Sequence, residues 1–547
     1  MTGPADFILT GGRVQTHDAA RRVAEAIAVR QGRIVAVGPA SVVRPLAGSR
    51  TRVVELAGRM VLPGFQDAHV HPPIGGLARL RCDLHGRRGL DTYLGIVRDY
   101  ARNHPDEAWI RGGGWHMADF PGGAPRREDL DRVVPDRPVY LRNRDVHGAW
   151  VNTRALELAG VGIETPDPPD GRIERDSAGR PSGTLHEGAM RHVERLLPPD
   201  TAADLERALT HAQAYLHSFG ITAWQDAWVT PDVLEAYRAL ASRGELTARV
   251  VAALWWDRDR GIEQLDELLD RRDRGQVGRL RATSVKIMQD GVLENFTGAV
   301  LEPYLDRHGE PTTNRGISFI DPEALKGHVA RLDAAGFQVH FHAIGERAVR
   351  EALDAVEAAY QANGRTDGRH HIAHLQVVHP DDLPRFRALG VVANAQPIWA
   401  FHGAQMDELT IPYLGSERSR WQYPFGSLRR AGAAQCMGSD WSVSSANPLL
   451  EIEVAVHRVA SASRDAQPFL PEERLDLPTA LEAFTIGSAY VNHLDEVTGS
   501  LEVGKAADLI VLDRDLFAPD AGPIGDAKVV LTMVDGEPVF QDPGLDP

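Results

Sequence analysis

Eight short apolar runs recur along the middle of the chain, most of them separated by segments of helical periodicity, and this alternation narrows the fold more than any other feature. The runs read VVELAGRMVLPGFQDAH, GITAWQDAW, ARVVAAL, RATSVKIMQDG, FQVHFHAIG, HHIAHLQ, GVVANAQP and AAQCMGSDW. Between later runs lie amphipathic stretches such as DPEALKGHVARLDAAG and DDLPRFRALG. Strands alternating with helices imply βα units, because parallel neighbours need a long crossover, and eight such units imply a closed barrel. Residues 76–215, rich in Gly, Pro and Arg, separate the first run from the second. An insertion after strand 1 stands over the C-terminal mouth of a barrel, where lids and substrate walls gather.

The two ends share a different texture, short strands broken by glycine over residues 1–61 and again over 497–547. Each end alone is too small to bury a two-sided sheet, so the expectation is one β-sandwich built from both termini and interrupted by a barrel over 62–496. A chain of 547 residues with 43% hydrophobic and 25% charged residues has the composition of a soluble globular protein of two or three units. Its formal charge of −16 disfavours nucleic acid as a partner, since phosphates call for a basic face. Only two cysteines occur, Cys82 and Cys436, which supports no disulfide framework and fits a reducing cytoplasm. Cys436 sits in an apolar run and reads as a core residue. No secretory-type leader and no apolar stretch long enough for a bilayer is legible, so the expectation is a cytoplasmic protein with a small-molecule substrate and no membrane partner.

The chemistry lies at the C-terminal ends of the runs. The first ends in the H-x-H pair His69 and His71; residues two apart on a strand point the same way, and two neutral imidazoles make half a site for a divalent transition metal. Lys286, His340, His342, His374 and Asp440 occupy comparable positions on four further runs, at the barrel face where catalytic groups collect. Imidazole and carboxylate donors suit zinc, and a bridging anion could hold a second cation about 3.5–4 Å from the first. Lys286 is awkward as an ammonium beside cations but becomes a bridging anion if its amine takes up carbon dioxide as a carbamate. The alternative is a buried lysine paired with Asp290.

On GFQDAHVHP, VKIMQDGVLENFTG, HFHAIGERAV, HIAHLQVV, GSDWSV and TGSLEVGKAADLIVLD, the chain resembles the amidohydrolase superfamily, most closely its YtcJ-like branch, amidohydrolase family 3. The resemblance covers nearly the whole chain. It implies an α/β fold, a distorted TIM (β/α)8 barrel with a β-sandwich domain built from both termini and an inserted subdomain, and metal-dependent hydrolysis. By that resemblance His69, His71 and Asp440 hold one divalent metal, zinc by donor type, His342 and His374 a second, and carboxylated Lys286 bridges them. Glu187 in SGTLHEGAM is the bridging or supporting carboxylate if Lys286 is unmodified; the alternative is a solvated glutamate at a helix start. His340 is expected to support a ligand.

The insertion resembles the branch too, in GGGW and RNRDVHGAWVN. His147 and Asn152 are expected to hydrogen-bond the substrate carbonyl or its oxyanion. Trp115, Trp255, Trp256, Trp399 and Trp441 are candidates to wall an apolar pocket. The expected reaction is attack of metal-bound hydroxide on a carbonyl, with Asp440 as general base and then acid. The leading reading is cleavage of an amide C–N bond in an N-substituted formamide or N-acyl amine. A deaminase is the nearest alternative, although Glu346 falls four residues after His342 where superfamily deaminases show H-x-x-E. An ester or carbamate hydrolase and a non-catalytic scaffold are the others, and a homodimer is an expectation from the resemblance alone.

Overall fold

The structure is a computed structural model describing residues 3–544; the outermost residues of both terminal segments lie outside the described residues. The eight runs supply eight strands of one sheet, Phe65–Val70, Ile221–Val229, Arg249–Trp255, Leu280–Met288, Gln338–Ala343, His371–His374, Val392–Ala395 and Gln435–Met437. Each pairs in parallel with the next. The first and last strands meet just beyond their C-terminal ends. There the Asp440 N–H donates to the His69 carbonyl at 2.7 Å, and the His71 N–H to the Trp441 carbonyl at 2.7 Å. Gly438 permits this approach, because a Cβ at that position would lie 2.4 Å from the His69 nitrogen. The bonds that draw the barrel together therefore also bring the H-x-H pair to Asp440.

The strands are buried on both faces, which is why they read as near-continuous apolar runs. Outside them, helices such as Pro322–Ala334 and Glu346–Asn363 lay Leu325, Val329, Val349 and Leu353 onto the sheet. Their starts are set by local chemistry: Asp321 accepts the Glu323 and Ala324 N–H groups, and Thr201 with Asp204 forms a reciprocal capping box for Ala202–His217.

The termini form one eight-stranded mixed sheet in which Leu509–Leu512 pairs antiparallel with Met60–Pro63, itself beside Phe7–Gln15. Leu9, Ile27, Leu509 and Leu531 share its core. The first apolar run thus serves two sheets, because Met60–Pro63 belongs to the terminal domain and the barrel begins at Phe65. Arg249 Nε meets Asp508 Oδ2 at 2.7 Å and Arg279 Nη2 meets Asp535 Oδ2 at 2.6 Å, fastening the terminal sheet to the N-terminal ends of two barrel strands.

The insertion is a six-stranded sheet running from Cys82–Asp83 to Pro181–Glu187. It is shorter than residues 76–215 suggested: Leu205, Leu209 and Leu216 of Ala202–His217 face the barrel core, so that helix belongs to the barrel's outer layer. Both cysteines are buried free thiols. Among the described residues no helix is long and apolar enough to cross a membrane.

Candidate metal centre and active site

Strand register sets the imidazoles in rows. Lys286 pairs with His340, and His340 with His371; one step further along, Met288 pairs with His342, and the adjacent Ala343 with His374. Because side chains alternate along a strand, the first row lies deeper in the barrel and the second nearer its mouth. Donor atoms of His69, His374 and Asp440 all lie within 4.8 Å of one another. His71 Nε2 stands 3.0 Å and His69 Nε2 3.3 Å from Asp440 Oδ1. His342 adjoins this group, its ring centroid 4.4 Å from that of His374.

A buried hydrogen-bond chain determines which face each ring presents. Gln338 donates its amide to the Arg369 and Val491 carbonyls, leaving its oxygen to accept Gln225 Nε2 at 2.9 Å. Gln225 Oε1 consequently faces His340 Nδ1 at 2.5 Å and His371 Nε2 at 3.0 Å, and as an acceptor it requires both nitrogens to carry hydrogen. Burial keeps His340 and His69 well below the usual imidazole range, so both rings are neutral. Neutral His340 then accepts at Nε2 from His69 Nδ1, 2.8 Å away. His69 is left with a bare lone pair at Nε2, aimed at an Asp440 oxygen that also carries only lone pairs.

A lone pair facing a carboxylate oxygen is an arrangement that a cation between them would satisfy. Asp440 Oδ1 and His374 Nδ1 are buried atoms without a hydrogen-bond partner, and buried polar groups left unpaired beside a cluster of imidazoles point to an ion. Neutral imidazoles and a carboxylate are the donors of a divalent transition-metal site, so the residues present fit such an ion. His374 and Asp440 hold their positions at φ 77° and 52°, left-handed values that side-chain-bearing residues adopt rarely and that concentrate at functional sites.

Lys286 is buried, with Nζ 3.5 Å from His340 Nε2. The pairing with Asp290 is not made: Asp290 instead accepts the Ala299, Ile344 and Gly345 N–H groups and approaches His342 Nδ1 at 3.2 Å. Glu187 is buried rather than solvated, and its Oε1 takes His147 Nδ1 at 2.8 Å together with Thr297 Oγ1 at 3.1 Å. That oxygen is turned to His147 and not into the imidazole cluster. Burial alone would pull the His147 imidazole down, but the Glu187 carboxylate and its hydrogen bond hold it up at about 9.

Two cavities, of 370 and 540 Å³, open onto this group and share His147, His342, His374 and Asp440 in their walls. Trp399 lines the smaller, its ring 5.8 Å from His374, and Trp255 lines the larger, stacked at 4.6 Å on Trp228. The other expected wall residues lie elsewhere. Trp115 is fully buried in the insertion's core and donates its indole N–H to the Leu141 carbonyl. Asn152 spends its amide within the insertion, accepting Val139 and Ala155 N–H groups and donating to the Val134 and Arg137 carbonyls, so nothing remains for a substrate. Trp256 is buried among the barrel's outer helices. Trp441 packs on Gly75, where a Cβ would meet its ring at 2.6 Å, and its backbone carbonyl accepts the His71 N–H.

Sequence reasoning missed Gln225, Asn394 and Asp67. Asn394 Nδ2 donates to the Ala68 carbonyl and reaches His371 Nδ1; Asp67 accepts the His69 and Ser439 N–H groups and so joins the two sides of the closure. Asp67 shares the parity of His69 and His71, a signal that could have found it. Gln225 and Asn394 had only their place inside apolar runs to betray them.

The chain matches the amidohydrolase family over residues 52–540. It is 33% identical to Protein LONG AFTER FAR-RED 3 of Arabidopsis thaliana, across 98% of this chain and 92% of that protein. It is 29% identical to the N-substituted formamide deformylase of Arthrobacter pascens, across 98% of each. With the putative amidohydrolase YtcJ of Bacillus subtilis it shares 30% identity across 94% of this chain and 96% of that one. Among solved structures, an uncharacterized metal-dependent hydrolase from Pyrococcus furiosus superimposes with a TM-score of 0.71 at 28% identity, covering 93% of this chain and 99% of that one. With its barrel, its terminal sheet and its cluster of imidazoles around Asp440, this chain belongs to the amidohydrolase family, as a metal-dependent hydrolase acting on carbon–nitrogen bonds.

Proposed function

We propose that this protein cleaves the amide C–N bond of an N-substituted formamide or N-acyl amine, with Asp440 as general base and then general acid. The observation that carries the reading is the pair of opposed lone pairs at the junction of two cavities, His69 Nε2 and Asp440 Oδ1 at 3.3 Å. Likeness to a relative named as an N-substituted formamide deformylase supports the substrate class. His69, His71, His374 and Asp440 would hold the divalent cation, zinc by its donors, with His342 beside them. A cation bound there acidifies water and polarises a carbonyl.

The chain's own residues do the rest. Asp440 accepts a proton from the attacking water through its carboxylate and returns it to the departing nitrogen. His147 is cationic below about 9, and with Nδ1 committed to Glu187 it offers its Nε2–H to the oxygen that gains charge as the carbonyl is attacked. The Gln225 chain holds His69 in its lone-pair-out tautomer. Burial holds the Lys286 amine down at about 7, against the pull of Asp440, so the neutral form that adds carbon dioxide is populated at neutral pH. We assign Lys286 a carbamate that would add an anionic oxygen to the cation site, and Glu187 the support of His147.

The test is a screen of metal-replete protein against N-formyl, N-acetyl and longer N-acyl amines, with ester and aminopurine controls, alongside Asp440→Asn. Amide turnover that falls about 10²–10⁴-fold in the variant, with metal retained, is expected. Turnover confined to aminopurines, or an Asp440→Asn protein with unchanged kcat, would overturn the proposal.

A further inference from the structure

The smaller cavity has an apolar body and one polar end. Trp399, Phe401, Ile344 and Met406 line it beside His374, while Arg144, Gln405 and Glu294 gather in its wall. Arg144 Nη2 donates to Gln405 Oε1 at 3.1 Å, and Gln405 Nε2 donates to Glu294 Oε1 at 3.2 Å. The Arg144 side chain has no other hydrogen bond, and among the described residues no carboxylate stands within ion-pair distance of it. Arg88, in the same wall, differs in being bonded to Asp119 through Nε at 2.7 Å.

A guanidinium cannot shed its proton in a protein, and Arg144, with Asp145 and Glu294 near enough to act on its charge but not to pair with it directly, keeps N–H donors free for an incoming anion. Its planar fork of N–H donors matches a carboxylate bidentately. Asp145 and Glu294 in the same wall would repel a dianion such as a phosphate ester, which favours a monoanion.

We propose that this cavity is a specificity subsite for a substrate arm that is aromatic or alkyl along its length and ends in a carboxylate seated on Arg144. The proposal rests on the hydrolase reading and narrows it, to amides carrying a remote carboxylate. Arg144 is a binding residue in this scheme, and the cation centre does the chemistry at the arm's other end.

The test compares N-formyl-4-(aminomethyl)benzoate with N-formyl-4-(aminomethyl)benzamide, and their N-acetyl counterparts, as substrates of the metal-loaded full chain. Calorimetric binding of 4-phenylbutyrate and 4-phenylbutanamide runs in parallel. The expected result is a carboxylate preference of at least about tenfold in kcat/KM and in Kd, the size of one good charge-assisted contact. Arg144→Gln should erase it, and Arg144→Lys, which keeps charge but loses the fork, should leave an intermediate preference. If Arg144→Gln fails to fold, the Lys variant and the wild-type ratios still decide. Amide hydrolysis without a carboxylate preference would overturn the subsite and leave the hydrolase reading standing. Arg144-dependent binding of phenylbutyrate without hydrolysis of any amide would do the reverse, and absence of both would remove both.

Discussion

Replacing Gln225 by methionine, close in volume and without polar atoms, should weaken both the fold and the metal site. The side chain makes four buried hydrogen bonds, to His340 at 2.5 Å, His371 at 3.0 Å, Gln338 at 2.9 Å and Asn492 at 2.9 Å. Each group left unpaired in the interior costs about 1–3 kcal/mol, giving about 4–12 kcal/mol before relaxation, a large part of the roughly 5–15 kcal/mol by which a domain is stable. Its effect on the metal is separate. Without the Gln225 oxygen, His340 is free to move its hydrogen to Nε2, and His69 must then present N–H rather than a lone pair to Asp440. A loss of about 10–100-fold in metal affinity is expected, the usual range for removing a group that orients a ligand. Gln225→Glu separates the two effects, since its carboxylate still accepts from both histidines but repels Gln338 and Asn492: stability falls while metal affinity holds. Competition against a chelating dye reads the affinity, and thermal unfolding reads the stability. A methionine variant that binds metal as tightly as the wild type, or a glutamate variant that loses as much affinity as methionine, would refute the tautomer argument.

Trp115→Ala should destabilise the protein by about 3–5 kcal/mol through the cavity left in the insertion's core while leaving the KM of the folded protein unchanged; a raised KM with an intact melting temperature would return Trp115 to the substrate wall. Stripping divalent ions with a chelator should lower the melting temperature, and restoring metal at a hundred times its Kd should recover about 2.7 kcal/mol; a melting curve indifferent to metal would argue that the cluster holds no ion. Asp333 accepts hydrogen bonds from His370, Thr366 and Asn363, which outweigh its burial and hold its carboxyl at about 2, below the usual 3.8. A depressed carboxyl contributes stability that is present above the unfolded value and lost as pH falls through the folded one. The stability gap between wild type and Asp333→Asn should therefore narrow from about pH 4 to about pH 2, and a gap constant over that range would contradict the assignment.

Much of this protein can be read without coordinates, for two reasons. Parallel strands buried on both faces write themselves as apolar runs, so the eight-strand barrel was visible in hydrophobic pattern alone. Imidazoles and a carboxylate at strand ends are the residue types a metal site would use, so His69, His71, His342, His374 and Asp440 stood out as candidates before any distance was known. The aromatic and amide residues of the insertion could not be sorted this way. Trp115 and Asn152 became core and helix cap, while Trp399 became cavity wall, because an indole or an amide serves equally well in each place and only its partners decide.

Those partners are distant in the chain. Asp67 finds Ser439 across 372 positions and Gln225 finds His340 across 115, contacts that exist only once the strands have taken their order around the barrel. Composition and periodicity act over a few residues and therefore determined the strands, the helices and which imidazoles and carboxylate stand at the strand ends. Which imidazole nitrogen faces Asp440, and which arginine is left facing a cavity without a direct ion pair, depend on closure of the sheet, and only the tertiary structure decided them.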